Sequence, residues 1–287
     1  MISRRFTAFA ATALITSLCA LGGASSALAT EHHPKGEFAP FANCPLSTTN
    51  LSDCVLAETT SGYFAIDKRE VPINKTITLT GGFIEEETGL KFVGAENGET
   101  LTKVPLYVPG GLLDILAPEF LNKKQKEEFN EAINKGLTGV TETTELAAPA
   151  SSIFISTENL LDAEGNALVL PIRVKLGNIL LGSSCLIGST AKPIDLELTT
   201  GKSGKLEGEV GKFEHNESFS LITLNGGKLV NNTFAAPKAE GCGAPLSFLI
   251  DEAVDAELHL PSASGNNEAV LKGKLSTAAA EAVRASE

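Results

Sequence analysis

The chain has no tryptophan, two tyrosines, one methionine and four histidines in 287 residues. Each scarcity narrows the functions open to it. Carbohydrate clefts lean on large aromatic surfaces, and Tyr63 and Tyr107 are too few to build one. Histidine is the commonest general base and zinc ligand. His32, His33, His215 and His259 show neither a His-x-x-x-His nor a His-Glu-x-x-His spacing, so each reads as a surface residue. There is no Cys-x-x-Cys pair, and no metal or cofactor is expected. Dispersed carboxylates could still serve a hydrolase, because the fold and not the spacing sets their separation.

Other fragments of familiar motifs lack their essential residues. Gly201-Lys202-Ser203 ends like a phosphate-binding loop, but Leu196 stands where that loop needs its first glycine. Gly182-Ser183-Ser184-Cys185-Leu186 has Leu186 in place of the second glycine of a nucleophile elbow. Glu85-Glu86-Glu87 lacks the alternating Asp/Asn/Gly pattern of a calcium loop and reads as a solvated hairpin tip. No catalytic residue is assigned, and the protein is expected to be non-enzymatic.

What the chain does have begins at its N-terminus. Arg4 and Arg5 precede an apolar stretch over residues 6–21 and a small-residue run ending Ala27-Leu28-Ala29. That layout predicts a signal peptide, 1–29, cleaved after Ala29, and a secreted product that is extracellular or associated with the cell wall. The apolar stretch is shorter than the roughly 20 residues of a membrane-spanning helix, and no later run reaches that length. Cys19 is preceded by Leu18, where a lipoprotein signal carries a small residue, so general secretion is the expected route.

The formal charge is −12, from 23 basic and 35 acidic side chains, and cleavage removes only Arg4 and Arg5. Bulk attraction to nucleic acid or to anionic lipid is therefore disfavoured. Cys44, Cys54, Cys185 and Cys242 remain, an even number suited to an oxidising compartment. Four cysteines allow three pairings, and chain order favours Cys44 with Cys54 and Cys185 with Cys242.

From Cys54 onward, short alternating runs are broken by glycine, proline and asparagine. Val71, Ile73, Ile77 and Leu79 share one parity, and so do Leu168, Leu170, Ile172, Val174 and Leu176. Ile194, Leu196 and Leu198, and then Leu206 and Val210, continue the pattern. Period-two alternation with short connections predicts a mainly β fold, an antiparallel sandwich or barrel-like pair of sheets. One or two short helices are expected with it. The first lies near 119–135, on the surface. The second lies near 246–256, where Leu246, Leu249, Ile250, Ala253 and Val254 form a core-facing stripe. Ala147-Ala148-Pro149-Ala150-Ser151-Ser152 reads as a linker, giving an N-terminal β half over 30–148, a C-terminal β half over 149–276 and a flexible tail over 277–287.

Several strings carry a resemblance: Phe38-Ala39-Pro40-Phe41 leading to Cys44-Pro45-Leu46, Val71-Pro72-Ile73-Asn74-Lys75-Thr76, Leu180 to Ser189 around Cys185, Gly241-Cys242-Gly243, and Pro261 to Asn267. The chain resembles a group of uncharacterised secreted actinobacterial proteins over most of its length after residue 29. The resemblance implies a bacterial, extracellular setting and no activity. It is consistent with pairing of Cys185 and Cys242.

Two functions lead, ahead of an enzyme with dispersed carboxylates. The first is a structural or protein-binding role, with an unidentified protein or cell-envelope component as partner. The second is carriage of a lipid or other apolar small molecule, for which Phe83, Phe92, Phe154 and Phe248 are the aromatic candidates. An apolar cavity of roughly 300 Å³ or more inside the β core would favour the second.

Overall fold

A computed structural model describes residues 32–87, 89–113, 121–244 and 246–287, so the expected signal peptide, Cys19 and the Ala29 cleavage site lie outside the described residues. The chain forms strands β1 Leu51–Ile66, β2 Arg69–Pro72, β3 Ile77–Glu86, β4 Gly89–Gly94, β5 Leu106–Tyr107, β6 Thr141–Leu146, β7 Phe154–Ile155 and β8 Leu168–Gly177. These are followed by β9 Leu186–Ile187, β10 Ile194–Leu198, β11 Lys202–Ser203, β12 Leu206–Glu207, β13 Lys212–His215, β14 Leu221–Asn231, β15 Ala239–Glu240 and β16 Glu268–Ala279. The helices are α1 Lys123–Lys135, α2 Thr157–Asp162, α3 Ser247–Leu258 and α4 Ala280–Ala285.

The fold is mainly β, with antiparallel strands in two main sheets, and no sheet closes into a barrel among the described residues. The first sheet has the order β13-β14-β16-β1-β3-β4, with β2 also on β1. The second has the order β15-β9-β8-β6-β5, with β7 and β10 also on β8. On β8 the alternation is realised as read: Leu168, Leu170, Ile172, Val174 and Leu176 are buried, while Val169, Arg173 and Lys175 are not.

The pairing does not divide the chain into an N-terminal and a C-terminal half. Strand β1 is 16 residues long, and the partner that spans most of it is β16, paired from Asp53↔Ala279 to Ala65↔Glu268. In the second sheet β5 and β6, from before residue 149, pair with each other, and β6 pairs in turn with β8. The 147–152 stretch is accordingly part of the body: Ala147 is buried and its N–H donates to the Pro171 carbonyl at 2.9 Å.

Other segments also depart from the sequence pattern. The run 71–80 is not one strand; it is interrupted at 73–76, where the Ile73 N–H turns to the Gly62 carbonyl. The expected strand at 206–210 is reduced to the two-residue β12. The tail over 277–287 is held, because β16 continues to Ala279 and α4 follows, with Ala280 and Val283 fully buried beside Phe41 and the Cys44–Cys54 pair. Helix α1 starts at Lys123 and not near 119, since Asn122 and Gln125 form a capping box; residues 114–120 lie outside the described set.

Helix α3 occupies the expected place but buries only part of its expected stripe. Val254 is buried and Ile250 and Leu258 pack partly against the core, whereas Leu246 and Leu249 are 55% and 56% exposed. The stripe that faces the sheet is therefore Ile250, Val254 and Leu258, at i, i+4 and i+8.

An apolar chamber with a buried carboxyl

Strand β8 presents one face along its whole length, and that face meets two different covers. Its first half, Leu168 to Ile172, looks toward Leu79 of β3, Leu224 and Leu229 of β14, and Leu271 and Leu275 of β16. Only about 120 Å³ of space remains there. Its second half, Val174 and Leu176, looks toward Ile250, Ala253, Val254 and Leu258 of α3, with Ile66 and Val71 of the first sheet at the side. There the cavity is about 390 Å³ and its wall is predominantly apolar. Leu180, Ala253 and Glu257 are exposed residues of its lining, so the chamber opens to the surface along α3.

The roof is firmly tied to the floor. Cys185, next to β9, and Cys242, just before α3, are paired with Cα atoms 4.0 Å apart. Asp251 accepts the Cys242 N–H at 2.7 Å and Asp255 accepts the Ala239 N–H at 2.8 Å, which fastens two successive turns of α3 to β15 and the residues just after it. At the far side Arg69 forms a 2.6 Å ion pair with Glu257 and donates to the Pro109 carbonyl at 3.3 Å. The second predicted pair, Cys44 with Cys54, has a Cα separation of 5.4 Å and lies in the separate cluster around Phe41 and Val283.

Between the two spaces stand Phe64 of β1 and Glu142 of β6, each lining both. Phe64 stacks on Phe234 with ring centroids 5.3 Å apart. Glu142 is 3% exposed, and its cross-strand neighbours are Leu106 on β5 and Leu176 on β8. Among the described residues its carboxyl has no hydrogen-bond or ion-pair partner, and burial alone pushes its pKa up to about 7. The buried amides of Asn267 and Asn232 are satisfied by contrast: Asn267 donates to the Phe234 carbonyl at 2.9 Å and accepts from Ser262 at 2.7 Å, and Asn232 donates to the Asn267 carbonyl at 2.7 Å. A buried carboxyl without a partner costs several kcal/mol if ionised, so Glu142 is held near neutrality by its setting.

The residues singled out in the sequence fall elsewhere. Phe83 and Phe92 pack edge-to-face at 6.2 Å in the core, and Phe154 and Phe248 are 51% and 67% exposed; none of the four lines the chamber. His32 meets Glu287 at 2.8 Å, His259 meets Asp67 at 2.9 Å, and His215 stacks on Phe219 at 3.7 Å. Ser184 donates to the Gly241 carbonyl at 2.8 Å beside the Cys185–Cys242 link. No group of three His, Cys, Asp or Glu side chains is placed to hold a metal among the described residues.

Glu142 was not anticipated. The signal was present in parity, since Glu142 and Leu146 share one face of β6 with Thr144 between them, and Val140 just before the strand has the same parity. Five threonine and glutamate residues in a row, 141–145, hid it by making the segment look solvent-facing on both sides. No helix among the described residues is long and apolar enough to cross a membrane. The chain matches no family model, no curated protein and no solved structure.

Proposed function

We propose that this is a secreted, non-enzymatic protein that binds and carries an apolar small molecule in the chamber beneath α3. The observation that carries the reading is the chamber itself: about 390 Å³, walled by Val174, Leu176, Ile187, Val254 and their neighbours, and open to the surface. Ligand sites of roughly 300–1,000 Å³ with mostly apolar walls and few polar groups are the usual form of small-molecule pockets. An empty space of this size forfeits packing on every side chain that lines it, which is tolerable where a ligand restores the contacts. Export through the signal peptide, with cleavage after Ala29, belongs to the same proposal and suits the two cysteine pairs.

The test is native mass spectrometry of gently purified protein, followed by titration with the neutral fluorophore diphenylhexatriene. A co-purifying apolar mass, or saturable binding with one site per chain, is expected. An empty protein that also leaves the fluorophore dark in solution would remove the carrier reading.

A protein-binding role is favoured by a different observation. Ile179 and Leu180 on the loop after β8, and Leu246, Phe248 and Leu249 at the start of α3, are 55–74% exposed. The two segments are adjacent through the Gly243 N–H to Leu181 carbonyl bond of 2.7 Å. Exposed apolar groups gathered in one place mark interaction surfaces. If a second copy of the chain covers them, sedimentation will show a dimer that Phe248→Glu returns to monomer, and a monomer at every concentration counts against it.

A further inference from the structure

Resting on the carrier reading, we infer that Glu142 is the head-group anchor of the chamber and selects an apolar molecule that ends in a primary amine. An apolar wall needs no carboxylic acid, and a leucine on β6 would continue the surface made by Leu106 and Leu176 on either side. Instead a side chain that is 3% exposed reaches into the space with no donor or cation against it among the described residues. The ligand must then supply the partner or leave the carboxyl unsatisfied, which costs about 1–3 kcal/mol.

The head groups sort by charge. A fatty carboxylate would place a second negative or acidic group against Glu142, and a pure hydrocarbon would leave its oxygens unmet. An amine supplies up to three N–H donors and the opposite charge, so both partners are satisfied in one contact. The proton balance is simple. Alkylammonium ions have a pKa of about 10.4, so the ligand arrives charged at neutral pH. Where Glu142 is protonated, its proton is released to solvent as the ammonium–carboxylate pair forms; where it is already ionised, none is released.

Four of the five other charged side chains facing the two spaces are engaged with each other. Arg69 and Glu257 pair at 2.6 Å on the chamber side, and Lys274 and Glu58 pair at 2.8 Å on the side of the smaller space. Lys228 of β14 also lines the smaller space, and burial alone accounts for the state of Glu142, so no charge from β14, β16, β1, β2 or α3 already fills the partner's role.

The experiment compares decylamine, decanoate and decanol in calorimetric titrations of the full chain, with diphenylhexatriene as a neutral reference, for the native protein, Glu142→Gln and Glu142→Leu. Native protein should bind decylamine at least about tenfold more tightly than decanoate or decanol at pH 7, about 1.4 kcal/mol. It should release a fraction of a proton that falls toward zero by pH 9. Both variants should bind decylamine no more tightly than decanol and release no proton, while their thermal unfolding stays cooperative. Because each variant removes at most one charge from an acidic chain, amine attracted only by the surface would persist in them, and that result would overturn the assignment. Fluorophore binding without any amine preference would also overturn it while leaving the apolar site intact. Failure of fluorophore and amine together would overturn both readings.

Discussion

One face of β8 is closed in two ways, and the contrast explains where this protein has room. Over Leu168 to Ile172 the cover is another sheet, whose strands β3, β14 and β16 bring leucines from several directions and leave about 120 Å³. Over Val174 and Leu176 the cover is one 12-residue helix that turns Ile250, Val254 and Leu258 inward and leaves about 390 Å³. Sheets that face each other interdigitate along their whole width at about 10 Å spacing, whereas a single helix offers a narrow stripe. The filled end serves stability, and the roofed end can be given to a ligand because the roof is stapled down and does not depend on dense packing.

The largest effect should come from cutting the staple. Cys185→Ala with Cys242→Ala should lower stability by about 4 kcal/mol, from a loop-closure estimate for a long loop, and reduce fluorophore binding. Removing Cys44–Cys54 at the other end should cost about 3 kcal/mol and leave binding unchanged. Equal effects on binding from the two pairs would break the comparison. Chemical denaturation alongside titration checks both.

Truncation should distinguish the two spaces next. Leu196→Ala, at the filled end, should destabilise by about 4 kcal/mol, and Leu176→Ala, already bordering open space, by about 2 kcal/mol, within the spread found for buried leucines. Urea unfolding of the pair gives the ranking, and a reversal would mean that the chamber is not open in solution.

Glu142 adds a pH signature of opposite sign to that of an ion-paired carboxylate. Its folded pKa is raised from 4.5 to about 7, so the folded state holds its proton while the unfolded chain loses it. The stabilisation is complete below about pH 4.5 and is lost as pH rises to 7, on the order of 3 kcal/mol in all. Glu268, held below the usual carboxylate range by its hydrogen bonds from Lys205 and Tyr63, contributes stability above its ordinary pKa and loses it only in more acid solution. Glu142→Gln should flatten the slope between pH 4.5 and 7, as read from denaturation midpoints across that range.

The smallest change is the sharpest on mechanism. Ala57→Phe, pushed into the filled end, should destabilise by about 1–3 kcal/mol, while Ala253→Phe, on the roof, should change stability by less than about 1 kcal/mol and weaken fluorophore binding at least about tenfold.

These contrasts also mark what could be read along the chain. The strands of the second sheet were legible because Leu168 to Leu176 and Ile194 to Leu198 alternate cleanly, so burial on one face dictates parity. The interleaving of early and late strands was not, since pairing of β1 with β16 joins residues more than 200 positions apart and no local pattern records a partner. Alternation was likewise silent on the chamber. It arises from a mismatch in width between a sheet and one helix, a property of two elements in space. Leu246 and Leu249 fitted a helical stripe equally well, yet α3, tied down through Asp251 and Asp255, leaves them outside.

The central claim is that the space beneath α3 is an open apolar site, and bromononane soaked into crystals of the protein tests it most directly through the anomalous signal of bromine. A bromine peak within the chamber walled by Val174, Leu176, Ile187 and Val254 is the predicted result. Side chains collapsed into that space with no bromine there would contradict the account.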